Sequence, residues 1–169
     1  MGTWHGDIEM GRAARTLLRW CEAGDADVLA ELASVLARAG VPGIAADLTK
    51  LAGHPAAEVR LVIAQALGEL QDASAASVAA LVALSRDRVD EVRSWATFGL
   101  AGDRLAAVEG VTDALAARLD DTSEEVRVEA VRGLAARGDV RAIDTAFELA
   151  PQWSGDPVFR DAVRRIQPA

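Results

Sequence analysis

Apolar residues recur along this chain at positions that one face of a helix would bury, and the pattern returns about every 33 residues. In three stretches a valine is followed by an apolar residue four positions later and a leucine eight positions later. The three valines are Val59, Val92 and Val126, separated by 33 and 34 residues. Positions zero, four and eight fall on one side of a helix. Recurrence at this interval predicts a stack of helical repeats.

Two further copies extend the pattern in both directions. Val28 and Val158 are each followed by apolar residues four and eight positions later. The five anchors place nearly the whole chain in one domain of 169 residues. We expect an N-terminal cap helix over 1–24, repeats that start near residues 25, 56, 89 and 123, and a C-terminal cap helix over 155–167.

Each repeat has room for a second helix after the first. In two repeats a Gly-Asp pair, at 102–103 and at 138–139, separates the first helix from the second. Glycine ends helices, and aspartate accepts hydrogen bonds from the first turn of the helix that follows. No run alternates as a strand would, so the fold is predicted to be all-α, with about ten helices. The apolar positions expected in the later second helices are Val78, Leu81, Val82, Leu84, Leu105, Val108, Val111, Leu115, Leu119, Val140, Ile143, Phe147 and Leu149.

A Glu-Val-Arg triplet opens the first helix of three repeats, at 58–60, 91–93 and 125–127. An alanine-rich helix follows, then Leu-Gly or Gly-Leu, then Gly-Asp and a second helix. This pattern resembles the short HEAT repeats, in particular those first noted in phycobilisome lyases. The resemblance covers roughly residues 25–167. It implies a right-handed α-α superhelix, or α-solenoid, whose first helices lie outside and whose second helices line the concave side.

The resemblance also implies a structural role for the triplet. In that family its acidic and arginine residues tend to form a ladder between neighbouring repeats. In this chain the ladder would consist of Glu58, Glu91, Glu125, Arg60, Arg93 and Arg127.

Net charge narrows the class of partner. The chain carries a formal charge of −8, and the second helices hold more acidic than basic residues. A concave side lined by them would suit a basic protein or peptide, whereas nucleic acid binding draws on clusters of lysine and arginine. A relative of the HEAT-like alkylpurine DNA glycosylases is therefore the less favoured alternative. The charged residues of the second helices are Asp47, Glu109, Asp113, Asp144 and Glu148 against Lys50, Arg118 and Arg141.

Groups suited to catalysis are few. The two histidines, His5 and His54, are not followed by glutamate, so the His-Glu pairs that hold iron in deoxyhypusine hydroxylase, another HEAT-repeat enzyme, are missing. The sequence also lacks a G-x-S-x-G motif and a glycine-rich phosphate loop. We therefore expect no catalytic residue, no metal site and no cofactor, and predict that the chain is not an enzyme.

One repeat departs from the others at the exposed positions of its first helix. Counted from the anchor valine, positions three and six hold Trp95 and Phe98 in the third repeat, whereas the other repeats place polar groups at position six. Aromatic residues at i and i+3 touch on a helix, and exposed aromatics often mark contact sites. The pair could instead pack under a loop or against the turn before Val92. If exposed, it would be a partner-binding or self-association surface.

These observations predict a cytoplasmic protein-interaction scaffold. No apolar run is long enough to span a membrane, and a single cysteine excludes an intramolecular disulfide. The candidate binding residues are Trp95 and Phe98 together with Asp113, Asp144 and Glu148. The partner would be a protein or peptide, and a homodimer stays open. A lyase-like or chromophore-handling role, of the kind implied by the phycobilisome-lyase resemblance, is the second alternative.

Overall fold

A computed structural model describes Thr16, residues 26–41 and residues 43–166. Within this part the chain forms nine α-helices and no strand. Apart from Thr16, the N-terminal cap helix predicted over 1–24 lies outside the described residues. The helices are α1 (Ala26–Arg38), α2 (Ile44–Leu48), α3 (Ala57–Leu70), α4 (Ala75–Leu84), α5 (Asp90–Ala101), α6 (Val111–Ala116), α7 (Glu124–Ala136), α8 (Ile143–Trp153) and α9 (Pro157–Ile166).

The odd-numbered helices are the first helices of successive repeats, and the even-numbered helices are the second helices. Each first helix packs most extensively on the first helix of the next repeat. Short 3-10 helices at Thr49–Leu51, Asp103–Leu105 and Val140–Ala142 adjoin or precede the second helices. The result is a two-layered stack of helix pairs, which confirms the predicted all-α repeat fold.

The three repeats that carry the triplet have the predicted register. Their residues at positions zero, four and eight are all fully buried, and all of these side chains except Val126 and Ala130 belong to one continuous core. The residues at these positions are Val59, Ile63, Leu67, Val92, Ala96, Leu100, Val126, Ala130 and Leu134.

The two outer anchors are wrong. Val28 is 54% exposed and Val158 is 61% exposed, whereas their neighbours Leu29 and Phe159 are buried. Each outer helix has apolar residues at two adjacent positions and lacks the full triplet, so the spacing alone could not choose between them. Burial favours the larger side chain, because it removes more apolar surface from water. The zero position of α1 is therefore Leu29.

The last second helix also turns by about one residue from the prediction. Val140 and Phe147 are exposed, while Ala142, Ala146 and Leu149 face the core.

Small residues bring the first helices unusually close together. A Cβ atom added at Gly99 of α5 would lie 2.8 Å from the Cα atom of Gly68 in α3. One added at Gly133 of α7 would lie 2.9 Å from the Cβ atom of Ala101 in α5. Two backbones can approach this far only where side chains are missing.

Side chains tie the carboxyl ends of these helices together. The Nε2 atom of Gln71 donates to the carbonyl of Gly68 at 2.6 Å and to that of Gly99 at 3.0 Å. Arg137 does the same one repeat later, with its guanidinium donating to the carbonyls of Leu100 at 2.9 Å and Gly133 at 2.7 Å. The last carbonyls of a helix have no partner within the helix, so these bonds satisfy them and fix the spacing of neighbouring repeats.

Close packing in one layer sets the direction of curvature. Successive first helices contact one another along much of their length, whereas successive second helices barely touch. A two-layered stack bends toward the layer with the shorter spacing. The first helices therefore lie on the inner side of the curve, the reverse of the arrangement that the HEAT resemblance implied.

Candidate protein-interaction surface

The open face of the first helices is the side turned away from the second helices. On a first helix, the residue before the zero position and those at positions three and six lie on or beside this face. It lies on the inner side of the curve, so the residues that line it come from several repeats. A partner placed there would contact more than one repeat at once.

The aromatic pair of α5 lies on this face. The rings of Trp95 and Phe98 meet edge to face, with centroids 5.5 Å apart. Phe98 is 43% exposed, and Trp95 is partly buried against the core. The tryptophan therefore supports the phenylalanine from the side, which leaves one aromatic surface open to solvent.

Correcting the register of α1 extends the apolar surface beyond this pair. With Leu29 at position zero, position three of α1 is Leu32 and position six is Val35, which is 44% exposed. In α3 position three is Val62, packed at the edge of the core. We call the resulting set, made of Leu32, Val35, Val62, Trp95 and Phe98, the apolar strip. It crosses three successive first helices, interrupted by Gln65 at position six of α3.

A groove runs beside the apolar strip. Its main depression, of about 540 Å³, is lined by Phe98 together with Glu69 of α3 and Glu129 and Arg132 of α7. Smaller depressions of about 380 and 230 Å³ share lining residues with the main depression. The shared residues are Gln71 and Arg104 on one side and Asp103 and Arg132 on the other.

The apolar strip ends at α7, where positions three and six hold Glu129 and Arg132. Arg132 donates to Glu129 at 2.6 Å and also binds the carboxylate of Asp156. Burial raises the pKa of Glu129, and the charge of Arg132 opposes this effect. The charged cluster therefore closes one end of the apolar strip with groups that pair with one another, although the Nε atom of Arg132 is buried without a partner among the described residues.

A line of carboxylates borders the same face at the amino ends of the first helices. Glu58, Glu91 and Glu125 each precede the zero position of their helix, and all three are exposed. We call them the acidic row. A depression of about 300 Å³ between α5 and α7 is lined by Glu91 and Glu125 together with Asp90 and two serines. Hydrogen bonds from its own N–H and from Ser123 lower the pKa of Glu125.

The arginines of the triplet form the expected ladder, but with different acids. Arg60 binds Asp87 through two bonds of 2.6 and 2.9 Å, and Arg93 binds Asp121 in the same way. Asp87 and Asp121 lie in the turn before the next first helix. Arg127 donates instead to the backbone carbonyl of Asp121.

The predicted ladder role of Glu58, Glu91 and Glu125 is therefore wrong. Within the described residues, no hydrogen bond or ion pair joins these glutamates to a triplet arginine. The arginine follows the anchor and the glutamate precedes it, so their side chains leave the helix in different directions. The arginine reaches the next turn, while the glutamate reaches the open face.

The ladder aspartates stay ionised because of their partners. The Arg60 guanidinium holds the pKa of Asp87 below its usual range, although burial acts in the other direction. Burial raises the pKa of Asp121, but hydrogen bonds from Arg93 and from the N–H of Ser123 outweigh it, so the net change is downward. Both carboxylates also hold the turn that leads into a helix, since each accepts from the N–H of the N-cap residue two positions on.

The acidic residues predicted to share the binding surface lie in the other layer. Asp113 is on α6 and binds Arg141 at 2.9 Å, whereas Asp144 and Glu148 are exposed on α8. The structure does not bring these three together with Trp95 and Phe98. Their prediction on the concave side rests on the expectation that the second helices line it.

Some residues of the surface were not predicted from the sequence. Val35 was not predicted because the anchor of α1 was placed at Val28 and not at Leu29. The glutamates of the acidic row were predicted to belong to the ladder. A signal for the row was present, since glutamate precedes the anchor in every full copy of the triplet. Only the helix packing shows where that position points.

Two classes of site can be checked directly. Within residues 26–41 and 43–166, no group of three or more histidine, cysteine or acidic side chains is arranged to hold a metal. None of the helices in that part of the chain combines the length and apolarity required to cross a membrane.

Comparison with known proteins agrees with the repeat architecture. A family model described as HEAT repeats matches residues 14–101. The crystal structure of an engineered protein is 22% identical to this chain, with a TM-score of 0.65 over 90% of this chain and 77% of its own. YibA of Escherichia coli is 18% identical over 96% of this chain and 84% of its own, with a TM-score of 0.36. No curated protein matches significantly.

Proposed function

Because the chain belongs to the HEAT-repeat family, we propose that it is a non-catalytic scaffold that binds a protein or peptide on the open face of its first helices. The observation that carries the proposal is the apolar strip, which leaves Val35 and Phe98 exposed on helices of different repeats. Large apolar side chains exposed together on one surface mark interaction sites. Aromatic anchors at the centre of a concave surface are typical of binding hot spots.

The chemistry of the groove supports binding over catalysis. Among the described residues that line the main depression, the polar groups are carboxylates, arginines and Gln71, with no serine, cysteine, lysine or histidine. Such groups can pair with a partner, and the described lining offers no hydroxyl, thiol, amine or imidazole as a nucleophile. The acidic row would repel a phosphate backbone, which favours a protein partner over nucleic acid.

A selection experiment tests this function. A library of displayed peptides is passed over the immobilised wild-type protein and over a variant with Trp95→Ala and Phe98→Ala. We expect peptides to be enriched on the wild type and lost on the variant, because the variant removes the exposed aromatic surface. Circular dichroism of both proteins checks that the helices are intact, and Phe98→Ala alone serves where the double variant unfolds.

The chain offers a matched control in its other layer. Val140 and Phe147 are also exposed apolar side chains, but they belong to the second-helix layer. Replacing both with alanine should leave the enriched peptides bound. Enrichment that survives the loss of Trp95 and Phe98, or is lost with Val140 and Phe147, would contradict the proposed surface. Light scattering on the same proteins shows whether the partner is a second copy of this chain.

A further inference from the structure

Resting on this proposed function, we propose that the partner is a basic amphipathic α-helix that lies across the first helices, with its apolar stripe on the apolar strip and its basic flank on the acidic row. The secondary structure of the partner, the spacing of its apolar anchors and the sign of its charge each follow from a separate feature of the open face.

The spacing of the repeats suits anchors seven residues apart on a helix. Neighbouring helices pack with axes 8–10 Å apart, and the glycine contact of Gly68 and Gly99 places α3 and α5 at the close end of that range. A helical partner rises about 1.5 Å per residue, so seven residues advance it by about 10.5 Å. This advance exceeds the axis spacing, so the partner would lie obliquely across the first helices, and apolar residues at i, i+7 and i+14 would then meet α1, α3 and α5 in turn.

Backbone hydrogen bonding favours a helix over an extended segment. The apolar strip offers side chains, and the described residues beside it form no sheet edge with free backbone groups. An extended peptide pressed on this surface would leave its own N–H and C=O groups desolvated without partners, which is costly. A helix satisfies these groups internally. Amphipathic helices that dock an apolar face into a groove are a common mode of peptide recognition.

The charge of the acidic row is available for a partner. Arg60 and Arg93, which follow the glutamates in the triplet, are committed to Asp87 and Asp121 at 2.6–3.3 Å. Glu58 and Glu91 have no bonded cation among the described residues, and Asp90 adds a further exposed carboxylate beside Glu91. One margin of the open face is thus a line of exposed carboxylates, and Arg60 and Arg127 act on Glu58 and Glu125 through space without hydrogen-bonding them.

The acidic row and the apolar strip are the right distance apart for one helix. Glu91 precedes Trp95 by four residues and Phe98 by seven, which places it roughly 6–10 Å away along α5. A helix with its side chains is about 10 Å across. The apolar face of the partner helix can therefore rest on the apolar strip while lysine or arginine on one flank reaches the carboxylates of the acidic row. The opposite margin mixes Glu69 and Asp103 with Arg104 and has no single sign.

The probe is a synthetic helical peptide of about 21 residues. Its sequence repeats every seven residues, with leucine at the first and fourth positions of each repeat. Lysine occupies one flank of the helix, and alanine fills the remaining positions. Three control peptides replace lysine with glutamate, scramble the same composition, or place proline at the centre. Binding is followed by fluorescence anisotropy of the labelled peptide at low and moderate salt.

We expect the lysine peptide to bind and each control peptide to bind at least about tenfold more weakly. The variant Glu58→Gln, Glu91→Gln, Glu125→Gln should weaken the lysine peptide by roughly tenfold, since each surface pair contributes a factor of a few. It should also reduce the salt dependence, a readout that loss of helix stability alone would not move. Acids in a first turn stabilise a helix slightly, so unfolding curves accompany the measurement.

A second triple variant separates local charge from net charge. Glu109→Gln, Asp144→Asn and Glu148→Gln remove the same number of charges from exposed positions of the second-helix layer. This variant should bind the lysine peptide within about twofold of wild type.

The inference is overturned if the glutamate or proline peptide binds as tightly as the lysine peptide, or if both triple variants weaken binding equally. In that case peptides selected on the wild type that still require Trp95 and Phe98 would leave the proposed function standing with a partner of other chemistry. If neither the designed nor the selected peptides require those two residues, both proposals fail.

Discussion

Replacing Gly99 with alanine sets two effects of opposite sign against each other. Alanine is the better helix former by about 1 kcal/mol, so the change would stabilise α5 if its surroundings were open. The structure places the new methyl group 2.8 Å from the Cα atom of Gly68 and 3.1 and 3.3 Å from the two Cδ atoms of Leu81. Carbon atoms pack without strain at about 3.5–4.0 Å.

The contact with Gly68 decides the outcome, because a backbone atom cannot turn aside as a side chain can. Overpacking of this kind costs about 1–3 kcal/mol. Set against the gain in helix propensity, Gly99→Ala should lower the free energy of unfolding by up to about 2 kcal/mol. Because the methyl group pushes α3 and α5 apart, it should also weaken binding on the open face.

Urea unfolding followed by circular dichroism measures the effect. Gly68→Ala is the graded control, since its methyl group would lie 3.2 Å from the Cα atom of Gly99. It has the same gain in propensity, so it should cost less than Gly99→Ala. An alanine at 99 that stabilises the protein by about 1 kcal/mol would refute the close approach of these helices and the curvature derived from it.

Two further predictions concern the core and the ladder. Leu100→Ala should destabilise the protein by about 2–5 kcal/mol, because the side chain is fully buried; a denaturation midpoint unchanged within error would contradict the repeat register. Because the folded-state pKa of Asp87 is lowered by Arg60, its stabilisation is present above the ordinary pKa near 4 and is lost as the pH falls through the folded value. Asp87→Asn should therefore be less stable than wild type at neutral pH by about 3 kcal/mol. Its free energy of unfolding should fall less than that of wild type between about pH 4 and 2. Free energies that fall in parallel with pH for the two proteins would argue against the ladder.

The inner repeats could be predicted from the sequence because three copies of one motif share a register. In them the anchor, the residue four positions on and the leucine eight positions on are all buried. The outer helices could not be predicted as well. Val28 and Leu29 are both apolar, and only the packing of α1 on α3 selects the second.

The candidate surface was predictable only in part. Trp95 and Phe98 stood out by comparison of equivalent positions, and the structure places both on the open face. Asp113, Asp144 and Glu148 were grouped with them on a wrong premise about which layer lines the inside of the curve. That premise depends on the spacing between helices, which the glycines at 68 and 99 set through a contact between distant parts of the chain.

By itself, the sequence determined the period, the helical class and the buried stripe, since these follow from local spacing and from the need to bury apolar side chains. The tertiary structure decided how the layers curve, where the triplet glutamates point and how far the apolar strip extends. These properties depend on contacts between repeats, where a missing Cβ atom or a single hydrogen bond fixes the distance between helices. The same Glu-Val-Arg triplet therefore divides its roles, with arginine in the ladder and glutamate on the open face.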